Sequence, residues 1–344
     1  MDFISFSIIC VKVLIVFAVT MLTVLIMIYA ERRVSAFMQG RLGPNRVGPQ
    51  GLLQPIADGI KFLMKEDIIP AGVDKPVYLL APAMLLIPAL MTFAVIPFGA
   101  SITLFGRNIP LQVADINVGI LYILALTSIG VYGLVLAGWS SNSKYPLIGG
   151  LRSSAQLISY ELAMGLAIVS IVLLAGSLRL NDIIANQQGY FFSWNICKQP
   201  LAFLIFLIAI YAETNRLPFD LTEAEQELVG GYHTEYSSMK FAMFFMAEYA
   251  NMITGAALTV TLFFGGWDVP FINESSMGIP GVILSILSFA FKTAFFLFLY
   301  IWVRWTFPRF RYDQLMNIGW KVLLPLALIN IFITAGYLTL VTLN

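Results

Sequence analysis

Cysteine and histidine are scarce in this chain: Cys10, Cys197 and His233 are the complete set, with no CxxC pair and no second histidine. An iron–sulfur cluster takes several thiolates and a bis-histidine haem takes two imidazoles, so neither can be held by this chain alone. Structural zinc is unsupported for the same reason. Charge is also sparse. Of 344 residues only 11% are charged, where a soluble domain of this length carries roughly 25%. Net charge is +1, which gives nothing for nucleic acid to bind. No long polar stretch exists to build a soluble domain; the longest run that is not plainly apolar is 31–76. The N-terminus shows no basic region ahead of a small-residue cleavage site and no Arg/Ser-rich transit segment, so its first span is expected to be retained as a true helix.

Hydrophobic sequence is what the chain has in abundance. It is 59% hydrophobic, with a mean hydropathy of +0.85. The expectation is one polytopic, all-α integral membrane domain over 1–344. A spanning helix needs about 20 apolar residues, and eight stretches qualify or nearly so: 6–30, 77–98, 116–138, 155–176, 199–215, 239–266, 281–303 and 318–343. No internal repeat is visible, which weighs against an inverted-repeat transporter.

The basic residues fall on one set of connections. Those after the first, third, fifth and seventh spans hold Arg32, Arg33, Arg41, Arg46, Lys61, Lys65, Lys75, Lys144, Arg152, Arg216, Lys240, Arg304, Arg309, Arg311 and Lys321. The positive-inside rule then turns these connections to the cytoplasm or matrix and both termini to the other side.

Carboxylates sit where hydration is costly. The stretch ETNRLPFDLTEAEQELVGGYHTE, 213–235, holds Glu213, Asp220, Glu223, Glu225, Glu227 and Glu235, with Arg216 as its one cation. The span before it is short, about 22 Å against a hydrocarbon core of about 30 Å, so the acidic segment should begin below the membrane surface in a wet cleft. Asp220 and Thr222 are candidate helix caps, which accounts for one or two of the carboxylates rather than all of them. Glu161 lies about six residues into the fourth span and Glu248 about nine into the sixth, or roughly 9 and 13 Å. A charge at mid-bilayer costs ~2.5–3.5 kcal/mol on insertion scales. One such carboxylate could pair with Lys292 in the seventh span; the remainder point to a path for protons. His233 reads as a solvated surface histidine that could titrate near neutrality.

Two further segments carry patterns. In LLQPIADGIKFLMKED, Leu52, Ile56, Ile60 and Leu63 recur at helical spacing with Asp58, Lys61 and Lys65 opposite, an amphipathic helix lying in the interface or walling a cavity. In RWTFPRFRYDQLMNIGWK, arginines alternate with aromatics, an arrangement also ordinary at a membrane interface.

Three long motifs, ERRVSAFMQGRLGPNRVGPQGLLQPIADGIKFLMKED, AETNRLPFDLTEAEQELVGGYHTEY and WVRWTFPRFRYDQLM, closely resemble the NADH dehydrogenase subunit 1 family. These are the membrane subunits that enclose the quinone chamber of respiratory complex I, NADH:ubiquinone oxidoreductase. The resemblance covers essentially the whole chain; subunits of chloroplast dehydrogenase-like and membrane-bound hydrogenase complexes are more distant relatives. The resemblance implies that ubiquinone is the bound substrate and that Arg32, Asp58, Phe219 and Arg304 line or shape its tunnel. It implies a proton path through Glu161, Glu213, Asp220, Glu223, Glu225, Glu227 and Glu248, with Arg216 balancing charge. It places NADH, flavin and iron–sulfur clusters on soluble matrix-side partner subunits, and antiporter-like subunits beside this chain in the membrane. It implies no metal site here, membrane lipid as surroundings, and the mitochondrial inner membrane as the location, with the bacterial plasma membrane as the alternative. A stand-alone cation or proton transporter and a mere anchor for soluble subunits are the rival readings.

Overall fold

The computed structural model describes residues 3–104, 107–221, 228–272 and 277–343. Its helices, in chain order, are α1 (Phe3–Met38), α2 (Gln54–Met64), α3 (Lys75–Met91), α4 (Gly119–Ser140), α5 (Lys144–Ala175), α6 (Leu180–Ala185), α7 (Asn195–Lys198), α8 (Pro200–Glu213), α9 (Ser238–Phe263), α10 (Ile279–Thr306), α11 (Tyr312–Asn317) and α12 (Leu324–Leu343). A small antiparallel hairpin, β1 (Ile102–Leu104) and β2 (Arg107–Ile109), interrupts the connection between α3 and α4. Seven helices are long and apolar enough to cross a membrane, the last being the continuous run Tyr312–Val341. The eighth expected span, α8, is 14 residues long. That is about 21 Å of helix, short of a full crossing as its sequence suggested.

The short helix sits at the centre rather than at the rim. Ala202, Ile205, Phe206, Ala209, Ile210, Tyr211 and Ala212 are all buried, enclosed by α5, α9 and α12. A helix end inside the bundle is tolerable only if its carbonyls find donors. Gln156 on α5 supplies them: its amide nitrogen donates to the carbonyls of Ala212 and Phe219, both at 2.8 Å. Beyond Glu213 the chain turns through Asn215 in the left-handed region (φ 52°) and cannot resume a helix before Pro218.

Helix starts differ from the sequence reading in one place that matters. The fourth span begins at Lys144, not near 155, because Pro146 falls in the first turn, where a missing N–H costs nothing. Gly149 and Gly150, which read as breakers, are instead sites of close approach. A Cβ on Gly149 would lie 2.8 Å from the Tyr232 nitrogen, and one on Gly150 3.2 Å from the Leu134 carbonyl. Glu161 is therefore some five turns into α5 rather than under two. The added turns project from the bundle toward the acidic segment.

The basic connections pack together at one end of the bundle. Tyr78 stacks on Tyr236 with centroids 4.1 Å apart and donates to the Glu235 carbonyl at 2.7 Å. Phe310 donates its amide to the Pro218 carbonyl at 3.2 Å. Helix α2 lies across this end, held by Ser238, whose hydroxyl donates to the Phe62 and Lys65 carbonyls. Ile56, Ile60 and Leu63 remain exposed along α2, the apolar stripe of an interfacial helix.

Gly149→Val should therefore drive side-chain atoms into the Gly231–Tyr232 backbone. The expected result is loss of roughly 1–3 kcal/mol, seen as a lowered thermal midpoint of the solubilised protein. Gly165→Ala, where an added Cβ would meet nothing within 4 Å, should leave that midpoint unchanged.

Candidate functional site

Two groups of charged side chains lie inside the bundle. The first joins four helices and the turn after α8. The Arg216 guanidinium donates to the Glu31 carboxylate at 3.2 and 3.4 Å and is ion-paired with Glu248 of α9. Arg304 of α10 pairs with the same Glu31. Tyr249 donates its hydroxyl to Glu31 at 2.8 Å and lies under the Arg216 guanidinium, 4.5 Å from its ring centroid. Two carboxylates thus face two guanidiniums, and the cluster is neutral. Arg216 and Glu31 are nearly inaccessible, at 4% and 7% exposure. Ions so far from water persist only when paired and hydrogen-bonded.

The second group is different in kind. Glu213, the last residue of α8, faces Glu161 of α5 and takes a hydrogen bond from Thr127 of α4. Glu161 in turn accepts from the Ser128 hydroxyl. Among the described residues no cation lies within ion-pair distance of either carboxylate. One Glu213 oxygen is buried with no protein hydrogen bond.

A cavity joins the two groups. It encloses about 480 Å³ and is walled by Glu248, Asn251, Glu213, Asn215, Thr127 and Tyr232 among others. A second cavity, about 320 Å³, shares Glu213, Thr127, Thr214 and Asn251 and continues between apolar side chains to Thr254. Carboxylate and amide walls make the first cavity a place where water can sit between polar partners.

The remaining expected site residues are placed as follows. Arg32 and Asp58 are ion-paired with each other, joining the end of α1 to α2. Gln54 also donates to Asp58 at 3.1 Å. Phe219 is buried between Tyr160 and Phe310, each 5.5 Å away. Asp220 receives Arg309 at 2.8 Å, so the acidic segment is tied to the connection that follows α10 as well as balanced by Arg216. Glu223, Glu225 and Glu227, and the short helix expected around them, lie outside the described residues.

Two expectations are corrected. Lys292 does not serve Glu161 or Glu248. It donates to the carbonyls of Phe264, Gly266 and Asp268 at 2.9, 3.0 and 2.6 Å, because its place on α10 faces the far end of α9. The base that meets Glu248 is Arg216. His233 is not a solvated surface group. It packs against Tyr232, Phe241 and Phe245, and burial pushes its imidazole down to about 4. Glu31 was missed as a site residue. Its signal was present, since it is the sole carboxylate between Asp2 and Asp58 and closes an apolar span.

A family model described as NADH dehydrogenase matches residues 11–335. The chain is 57% identical over 329 residues to a membrane-subunit relative from Geobacter metallireducens, named as part of an NADH-quinone oxidoreductase, covering 96% of both chains. It is 51% identical to a relative of the same name from Cytophaga hutchinsonii, covering 94% of this chain and 95% of that one. It is 55% identical to NADH-quinone oxidoreductase subunit 8 of Rhodothermus marinus, covering 92% of each.

Arg216→Met should strand two buried carboxylates and cost ~3–5 kcal/mol, measured as the thermal midpoint of the solubilised protein. Adding Glu248→Gln to it should recover part of that loss. His233 generates a pH prediction of definite sign. Its folded value lies below the ordinary 6.5, so the unfolded chain binds the proton and stability falls as pH drops from about 6.5 toward about 4. The slope approaches ~1.4 kcal/mol per pH unit. His233→Phe should remove that contribution, measured as the difference between wild-type and variant unfolding curves across this range.

Proposed function

The chain belongs to the NADH dehydrogenase family, and we propose that, as the membrane subunit of an NADH-quinone oxidoreductase, it couples quinone reduction to proton movement through its buried carboxylates. The observation that carries this reading is the connection between the neutral cluster and the base-free pair: Glu248 belongs to the first, Glu213 to the second, and both wall one cavity.

Quinone would enter from the bilayer beside the end of α1 and α2, where Arg32 and Asp58 pair and apolar side chains line the interface. Arg304 would act through Glu31 rather than as a free guanidinium, and Phe219 would shape the wall from its aromatic cluster. Reduction takes up electrons and protons. Electrons would arrive from a cluster on a partner subunit, since two cysteines and one histidine supply no ligand set here. NADH and flavin belong with those partners, and the antiporter-like subunits would receive the outcome within the membrane.

A change of charge at the quinone end acts on the Glu31–Arg216–Arg304 cluster first. Moving a guanidinium away from Glu248 by even a little alters the field on that carboxylate, because little water screens it. Protons would then redistribute among Glu248, Glu213 and Glu161 through the cavity, titrating as a group rather than singly. Asp220 and, on the resemblance, Glu223, Glu225 and Glu227 would connect this group to the quinone end.

The relatives named above are bacterial, so the proposed location is a bacterial plasma membrane and not the mitochondrial inner membrane. The basic connections would face the cytoplasm, where the soluble subunits dock, and both termini the opposite side.

Glu161→Gln, Glu213→Gln and Glu248→Gln each preserve size and remove ionisation. In the assembled complex each should lower NADH-driven quinone reduction and proton translocation by about tenfold or more. Reduction of ferricyanide, which takes its electrons before the membrane, should stay at the wild-type rate. Wild-type quinone reduction and proton translocation in all three variants would remove the basis of the reading.

A further inference from the structure

We infer that Asn251 is a positioning residue that holds the water linking Glu248 to Glu213. The inference rests on the carboxylate reading above and extends it to a residue that carries no charge.

Asn251 follows Glu248 by three positions on α9, so the two side chains are neighbours on one helix face. Both wall the first cavity. Asn251 also walls the second cavity, which Glu248 does not reach. It therefore stands where the space beside the ion cluster meets the space beside the base-free pair. Helix α9 is otherwise poor in polar groups here: Met252, Ile253, Gly255, Ala256, Ala257 and Leu258 are all buried.

An asparagine amide offers two donors and an acceptor. A buried water needs two to four polar partners. The cavity supplies them: the Asn251 amide, the Glu248 carboxylate, the Thr127 hydroxyl, and the Glu213 oxygen that is buried without a protein hydrogen bond. The amide does not titrate and so cannot take the proton itself. Its part is to accept from and donate to water, so that one water can take a proton from one carboxylate while giving another to the next.

Two substitutions separate this role from plain packing. Asn251→Leu keeps the volume and removes the polar atoms. Asn251→Ser loses volume but keeps a hydroxyl and leaves room for one more water. A positioning role predicts that Asn251→Leu lowers quinone reduction and proton translocation by about tenfold, with a larger solvent isotope effect in heavy water, while Asn251→Ser stays within about twofold of wild type. A packing role predicts the reverse order, because volume-conserving changes are tolerated best and cavities are not. Both variants are assayed in the assembled complex, with ferricyanide reduction as the control for assembly and with Glu213→Gln alongside. If Glu213→Gln is impaired while Asn251→Leu matches wild type, or if Ser is worse than Leu, the inference fails and the carboxylate reading stands. If Glu213→Gln itself matches wild type, both fall together.

Discussion

The fold is arranged around one electrostatic constraint: Arg216 must be neutralised where water cannot reach it. Its guanidinium sits just past the end of a helix that stops inside the bundle, and it is met by Glu31 from α1 and Glu248 from α9. Glu31 in turn needs Arg304 from α10 and the Tyr249 hydroxyl. Each member leaves an uncompensated buried charge if its partner moves, so helices distant in sequence are fixed relative to one another. Buried ionic clusters are not by themselves a source of stability, since desolvation can exceed the attraction. What such a cluster does confer is sensitivity: a charge introduced nearby is felt at full strength by groups with no solvent to screen them.

The second consequence is an asymmetry. The Glu31–Arg216–Glu248–Arg304 cluster has a base for every acid. Glu161 and Glu213 have hydroxyl partners and each other. Charge is therefore held in place at one end of the cavity and free to be exchanged for a proton at the other. A cavity walled by Glu248, Asn251 and Glu213 lies between them. Neither group alone would transmit anything; the neutral cluster can sense and the acid pair can take up or release a proton.

Much of this was legible in the sequence. Hydrophobic run lengths gave the spans, and the shortness of 199–215 already required its C-terminal end to lie within protein. The carboxylates at Glu161, Glu213 and Glu248 announced themselves by standing in apolar surroundings. What could not be read was who faces whom. Lys292 was the obvious mid-span base, yet three carbonyls at the far end of α9 claim it. Glu31 looked like the polar close of a helix, because its partners come from positions 185 to 273 residues away. Gly149 and Gly150 read as breakers of α5, and only the neighbouring backbone at Tyr232 and Leu134 reveals why a side chain is absent. His233 carried no local mark of burial, since the rings around it come partly from α9. Asn251 was invisible among apolar residues until two cavities were seen to share it.

The most direct test of the central claim is the redox-induced infrared difference spectrum of the intact complex in the protonated-carboxyl region, recorded as quinone is reduced. Our account predicts a carboxyl signal in the wild type that is lost or shifted in both Glu213→Gln and Glu161→Gln, because the pair responds as a unit. An unchanged signal in both variants would show that the carboxylates that respond to quinone lie elsewhere, and would contradict the role assigned here to the buried pair.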